Sequence, residues 1–389
     1  MLADVVIAIV VGIGLGFFLQ KGRFCFVHAF RDLFAFKDTR VTKGVLVAIV
    51  LTMLGWSVAY HFGYYQGFWT PDWGLTGLVG GFIFGVGMTY AGGCASGTLY
   101  RAGQGYIHFW ITLLFMGVGY AVFAIAFPWL GTTYFDPLTF GAGRSLFESG
   151  TLPAPLVATL AAGLLIGAYV TVTGRDVIAS REPRGQAASL SLIAVLGAPI
   201  VGTRRLIVGT RAYIDGIRSI DDWMAASKRP WDPRTAAIGI TGVAMLWFAH
   251  VSIVGITGPE ARWTGYALNA VGIDVDGIEY WGSILFAGEG VRLTVDMIMI
   301  AMVILGAGIA AVWSGDFTVR MPRLRRLPNA TIGGFLMGAG SRLAPGCNIG
   351  NIYSGIASLS IHSFLASVGI ILGVYVMTRW LYREVGCAL

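Results

Sequence analysis

Three cysteines stand where this sequence has chemistry to offer. Two of them share one local pattern. Cys94 lies in Gly92-Gly93-Cys94-Ala95-Ser96-Gly97, and Cys347 lies in Pro345-Gly346-Cys347-Asn348-Ile349-Gly350. Each is a Gly-Cys-x-x-Gly element. Glycines and proline at this density break a helix. A break at membrane depth frees backbone N–H groups, which together with the positive end of a helix attract an anion. Ser96, Thr98, Asn348 and Asn351 would add neutral donors. A cysteine is soft and polarizable, suited to a ligand whose outer atom is sulfur or selenium. Its S–H donates weakly to a sulfur anion, whereas a thiolate repels the anion but can attack it. Cys25, which follows Lys21 and Arg23, is the third candidate. Cys387, two residues from the end, reads as inert. The expected binding set is therefore Cys25, Cys94, Cys347, Gly93, Ser96, Gly97, Gly346, Asn348, Gly350 and Arg23. Arg101 and Arg342 also flank the cysteine elements and would extend an electropositive approach.

The elements that must hold these residues follow from composition. Of 389 residues, 56% are apolar and only 12% charged, against about a quarter charged in soluble domains. Mean hydropathy is +0.73. This excludes an ordinary soluble enzyme, a disordered chain and a fibrous one. It leaves an all-α polytopic membrane protein. The 56 glycines have no three-residue period; in membrane helices glycine permits close approach. A net charge of +7 then sets orientation and does not point to nucleic acid. No cysteines form C-x-x-C pairs, which speaks against a disulfide framework, a zinc site and a dithiol relay. The five histidines show no ligand spacing. No phosphate-binding loop is present, so no cofactor is expected.

Nine charge-poor windows are long enough to be spans: 4–20, 44–62, 74–92, 106–130, 153–173, 235–257, 293–313, 330–344 and 361–382. The basic loops after the first span, around 174–234 and at 320–326 then fall on one side, and the acidic loop 258–292, with Glu260, on the other. The positive-inside rule puts the N-terminus outside and the C-terminus in the cytoplasm. Segment 22–36 is too short to cross and is expected to lie at the interface or dip partway in. Gln186–Thr203 is read as interfacial or cytoplasmic. Gly80–Tyr100 and Gly333–Tyr353 repeat one another: both carry the leading Gly-Gly-Phe, two further glycines, Gly-Cys, the next Gly and a final Tyr. With an odd offset of spans the repeats are inverted, an architecture of transporters and channels. The expected organisation is a first membrane repeat 1–175, a basic connector 176–234 and a second, inverted repeat 235–389, with short half-spanning helices at the cysteines.

These motifs resemble a known family. Gly22-Arg23-Phe24-Cys25-Phe26 followed by Ala29-Phe30-Arg31-Asp32 is similar to its first motif. Gly80-Gly81-Phe82 leading into Gly92-Gly93-Cys94 is similar to its second, and Gly333-Gly334-Phe335 leading into Pro345-Gly346-Cys347-Asn348 to its third. Gly255-Ile256-Thr257-Gly258-Pro259 is a further shared feature. The family is YeeE/YedE, of sulfur-transport membrane proteins. The resemblance implies an hourglass of nine long spans with helices entering only partway, and thiosulfate uptake across the bacterial inner membrane. It implies that Cys25, Cys94 and Cys347 line the path and hand thiosulfate on through S–H···S hydrogen bonds. It implies a small cytoplasmic partner of the TusA sulfurtransferase type. The stretch 175–234 is longer than in the simplest members, and some longer members are associated with selenium. The residues themselves leave open a selenium-compound or other sulfur-species transporter, an intramembrane sulfurtransferase or redox relay, a passive channel, and a scaffold that docks a soluble partner.

Overall fold

A computed structural model describes residues 2–64, 67–149, 153–179 and 228–384. A helix occupies each of the nine apolar windows. They are α1 (Leu2–Lys21), α3 (Arg40–His61), α4 (Leu75–Ala91), α6 (Ile107–Leu130), α7 (Ala154–Ala179), α8 (Pro233–His250), α10 (Val295–Ser314), α11 (Leu327–Leu343) and α12 (Ile361–Glu384). Among the described residues, shorter helices of at least nine residues lie between them: α2 (Phe26–Phe36), α5 (Ala95–Gly103) and α9 (Thr257–Ala270). Among the described residues, six stretches are long and apolar enough to cross a membrane: Leu2–Phe36, Arg40–His61, Leu75–Gly103, Ile107–Leu138, Val295–Ser314 and Ile361–Arg383. Strand is confined, among the described residues, to one short antiparallel pair, β1 (Trp73–Gly74) with β2 (Thr139–Gly141).

The helices are amphipathic in the inverted sense. Large apolar side chains recur at helical spacing on exposed faces: Leu114, Val118 and Val122 on α6, Leu305, Ile309 and Val312 on α10, Val368, Leu372 and Val376 on α12. The interior is also largely apolar, with Trp56, Trp247 and Trp281 buried in it, but it holds the polar side chains, among them Thr52, Ser96, Thr98, Asn348, Ser354 and Ser363. A soluble protein would hide those stripes; hydrocarbon solvates them. The chain is an all-helical, multi-pass membrane protein.

The centre is a crossing of α4 and α11 built on glycine. Gly80 lies against the backbone of Ala344, and its repeat counterpart Gly333 against Ala91, the counterpart of Ala344. Gly87 lies against Met337 and Gly340 against Phe84, in the same exchanged relation. Contacts advance along α4 as they retreat along α11, so the two helices run antiparallel. Reciprocal exchange of this kind marks a local twofold axis. The outer faces of the same helices continue the pattern. Gly81 and Gly85 back onto Ala366 and Ile370 of α12, and Gly334 and Gly338 onto Thr112 and Met116 of α6.

Both central helices stop just before their cysteine. Gly92 closes α4 in the left-handed region (φ +76°), and a side chain there would be strained. Gly346 (φ +120°) follows α11. The chain then restarts as α5 in one case and as a π-helical turn, Ile349–Gly355, in the other. Segment 22–36 contributes α2, whose first turn is buried through Phe26, Val27, Ala29 and Phe30. The acidic loop expected at 258–292 is different in kind. Pro259 sits in the first turn of α9, where its missing N–H costs nothing, and that helix is followed by a π-helical turn, Tyr280–Leu285. Gln186–Thr203 and Cys387 lie outside the described residues.

A methyl at Gly85 would strike the carbonyl of Ile370, whereas one at Gly163 on α7 meets nothing within 4 Å. Overpacking of this kind costs about 1–3 kcal/mol. Gly85→Ala is therefore expected to lower the melting temperature of the detergent-solubilised protein clearly. Gly163→Ala should hold or raise it, because alanine is the better helix former. Equal melting temperatures would refute the crossing as described.

Candidate functional site

Two of the three thiols meet. Cys25 precedes α2 and Cys94 precedes α5, each in extended backbone at the N-terminal end of its helix. Their Sγ atoms are 3.5 Å apart, and both side chains are fully buried. The amide of Gly97 donates to Cys94 Sγ at 3.3 Å, and Ser96 Oγ lies 3.3 Å from the same sulfur. Thr98 Oγ1 donates back to the Cys94 carbonyl at 2.8 Å. The Cys94 sulfur thus occupies the N-cap position of α5, where free amides and the helix dipole favour electron-rich atoms. Gly97 has to be glycine: a methyl on it would lie 2.7 Å from Cys25 Sγ and 3.2 Å from Cys94 Sγ. A methyl on Gly93 would lie 2.7 Å from the Phe109 ring.

Arg101 stands two turns along α5 from the pair. It donates to the Gly92 carbonyl at 3.0 Å and meets His28 Nε2 at 2.9 Å. A guanidinium only donates, so Nε2 must accept and His28 is neutral, with its proton on Nδ1. The Arg101 guanidinium also lies 5.1 Å from the centre of the Phe109 ring.

Cys347 is placed elsewhere. It lines a cavity of about 800 Å³ whose wall includes Gly346, Gly350, Trp69, Thr257, Tyr280 and Arg342. The Cys25–Cys94 pair does not line it. Arg342 is only 8% exposed. It donates to Thr257 Oγ1 at 2.7 Å and to Tyr280 OH at 3.2 Å, and stacks 5.6 Å above the Tyr120 ring. No carboxylate lies within ion-pair distance of it among the described residues. The two asparagines differ. Asn351 is tied, donating to the Ala344 carbonyl and accepting from Ser363 Oγ. Asn348 is fully buried beside Cys347, and neither its Nδ2 nor its Oδ1 has a partner among the described residues. A buried amide without partners is costly, and an arriving anion would satisfy its donor. Arg23 has left-handed backbone, and its side chain is 62% exposed and faces Asp316 at 3.9 Å.

Sequence reasoning did not single out Tyr120 or Glu260. Glu260 counted among the acids of an outer loop. It is instead a buried residue of α9, 8% exposed, with Tyr120 OH donating to its Oε2 at 2.7 Å. The available signal was Gly258-Pro259-Glu260, a proline at a helix start with the acid just after it. Arg262, two residues further on, forms an ion pair with Asp296 of α10.

The sulphur transport family matches this chain over residues 21–376. The chain belongs to that family. Among relatives, the thiosulfate transporter TsuA of Spirochaeta thermophila is 30% identical over 97% of this chain and 98% of its own length. The protein of the same name from Escherichia coli is 28% identical over 98% of this chain and 96% of its own length. The probable transporter YedE of Escherichia coli is 32% identical over 39% of this chain. The relatives are named as transporters, which supports a transport role and not an enzymatic one.

Mild oxidation of the native protein is expected to join Cys25 to Cys94 and leave Cys347 free. Mass spectrometry of the digested protein reads both. Gly97→Ala should reduce the cross-link, because its methyl displaces Cys25 Sγ. Pairing of Cys347 with either of the others would contradict the two separate stations.

Proposed function

We propose that this chain takes up thiosulfate across the inner membrane of a bacterium, with the anion passing from Cys347 to the Cys94–Cys25 pair. What carries the reading is the placement of the thiols: one in the wall of a cavity beside a buried arginine, two in contact with each other at 3.5 Å. The full-length relatives named as thiosulfate transporters supply the identity of the anion.

The parts divide the work. Arg342 favours a dianion at the cavity wall, where low dielectric strengthens the attraction, and Asn348, buried behind the wall next to Cys347, holds an unpartnered amide. Cys347 presents a neutral thiol to the terminal sulfur. S–H···S contacts are weak, and a weak contact lets the ion leave as well as arrive. Each thiol keeps its proton, so no covalent bond forms and no oxidant is needed. Gly93, Gly97, Gly346 and Gly350 keep side chains out of the way, Ser96 holds Cys94 in place, and Arg101 offers positive charge beyond the pair. Arg23, at the surface, would serve the exit by charge alone.

The cavity faces outward in this proposal, with the N-terminus outside and the C-terminus in the cytoplasm. Halves 1–175 and 235–389 are inverted repeats joined by the connector 176–234; the exchanged glycine contacts support that reading. A TusA-like sulfurtransferase would collect the sulfur on the cytoplasmic side, as the family resemblance suggests.

The test is uptake of thiosulfate, labelled in its outer sulfur, into proteoliposomes holding the pure protein, with sulfate, sulfite and selenite as competitors. Uptake should saturate and resist all three; competition by selenite would move the substrate to a selenium anion. Cys94→Ala should abolish uptake at unchanged expression, and full uptake in that variant would count against the thiol path. Arg342→Leu should raise the half-saturating concentration at least about tenfold, as losing a buried charge partner does elsewhere.

A further inference from the structure

Glu260 is a buried acid behind the cavity wall: Pro259 and Arg262 of the same helix line the cavity, and Glu260 does not. Its Oε2 accepts from Tyr120 OH at 2.7 Å, and its Oε1 has no partner among the described residues. Arg342 forms no ion pair with it but is joined to it through shared neighbours. The guanidinium lies over the same Tyr120 ring and donates to Thr257, one turn earlier on the helix that carries Glu260. The groups that face Glu260 are few. Tyr120 comes from α6 and Arg342 from α11. Tyr280, from the π-helical turn after α9, bonds to Arg342. Cys347 shares the cavity wall with Arg342. Asp296 of α10 is held by Arg262.

The charge on this cluster depends on one proton. With Glu260 ionised, its charge offsets that of Arg342, and the cavity wall has little pull on a dianion. With Glu260 protonated, Arg342 acts as a net positive charge. A proton on Glu260 therefore favours the anion, and by linkage the anion favours the proton to the same degree. Uptake against an inside-negative potential works against every negative charge moved, and each proton carried along removes one unit of that charge.

We propose that Glu260 is the binding site of a co-transported proton, so that the protein is a proton–anion symporter. The proposal rests on the transport reading above. The proton arrives from the outer solution and binds Oε1, the unpartnered oxygen. Tyr120 continues to donate to Oε2. No bond within the anion or the thiols is made or broken. When the anion moves on, the carboxyl loses its reason to stay neutral and releases the proton.

Proteoliposomes with the membrane potential clamped separate the two readings. Exchange of labelled for unlabelled thiosulfate, with no gradient, reports transport alone. A pH gradient, acid outside, should then drive accumulation in the wild-type protein. Glu260→Gln should lower the accumulation ratio about tenfold, within the usual range of such couplings, and flatten the pH dependence of exchange. Glu260→Asp should restore part of both. Size-exclusion profiles confirm that each variant is folded. Exchange that proceeds while accumulation ignores the pH gradient would overturn the proton site and leave thiosulfate transport standing. Gradient-driven accumulation that survives in Glu260→Gln would overturn it as well. Absence of exchange in the wild-type protein would overturn both readings.

Discussion

Contact between backbones at the α4–α11 crossing is the constraint on which the rest of the structure depends. Hydrocarbon gives no hydrophobic reward for bringing two helices together, so association has to come from packing. Glycine at Gly80, Gly87, Gly333 and Gly340 lets the two backbones touch. The second rows, Gly81 with Gly85 and Gly334 with Gly338, let α12 and α6 do the same from outside. Four helices are thereby locked at one spacing. Both central helices end at this crossing, and the two Gly-Cys turns are carried at their ends. The thiols hold their positions because the helices before them cannot shift.

Buried polar groups in this interior fall into two kinds. Most are closed off by a local partner, as Thr98 is by the Cys94 carbonyl and Ser354 by the Val254 carbonyl. Such bonds leave nothing for a solute. Others remain open among the described residues: both polar atoms of Asn348, Glu260 Oε1, Gln20 Oε1, Trp56 Nε1 and the hydroxyls of Ser360, Ser367 and Thr378. In a low-dielectric interior an open group is an expense that folding alone would remove. Of these, Asn348 and Glu260 are adjacent in sequence to residues of the cavity wall, Cys347 and Pro259.

Much of this was legible in the residues. The windows free of charge fell on long helices, because a span must satisfy its own backbone and solvate its own surface, although 235–257 ran seven residues past the helix that ends at His250 and 153–173 stopped six short of Ala179. The Gly-Cys repeat located both broken helices, since glycine and proline act locally. What the sequence could not show was which thiols meet. Cys25 and Cys94 are far apart in the chain, and only the docking of α2 against the core places one sulfur beside the other. The same limit explains Glu260. Its neighbours in sequence read as loop, and its burial depends on Tyr120, which lies 140 residues away. It also explains why Arg23 and Arg342, alike in being beside a motif, end in unlike places: one at the surface, one in the cavity wall.

The exchanged contacts carry a consequence for motion. At each crossing glycine a carbonyl or amide of the partner helix fills the space of the missing side chain. Sliding either helix by one residue would bring side chains into those spaces at several points together, so the halves cannot rock past each other in small steps. The pieces beyond the breaks, α5 and the π-helical turn Ile349–Gly355, are themselves buried along nearly their whole length. The crossing and the two turns it carries therefore form one fixed frame around the thiols.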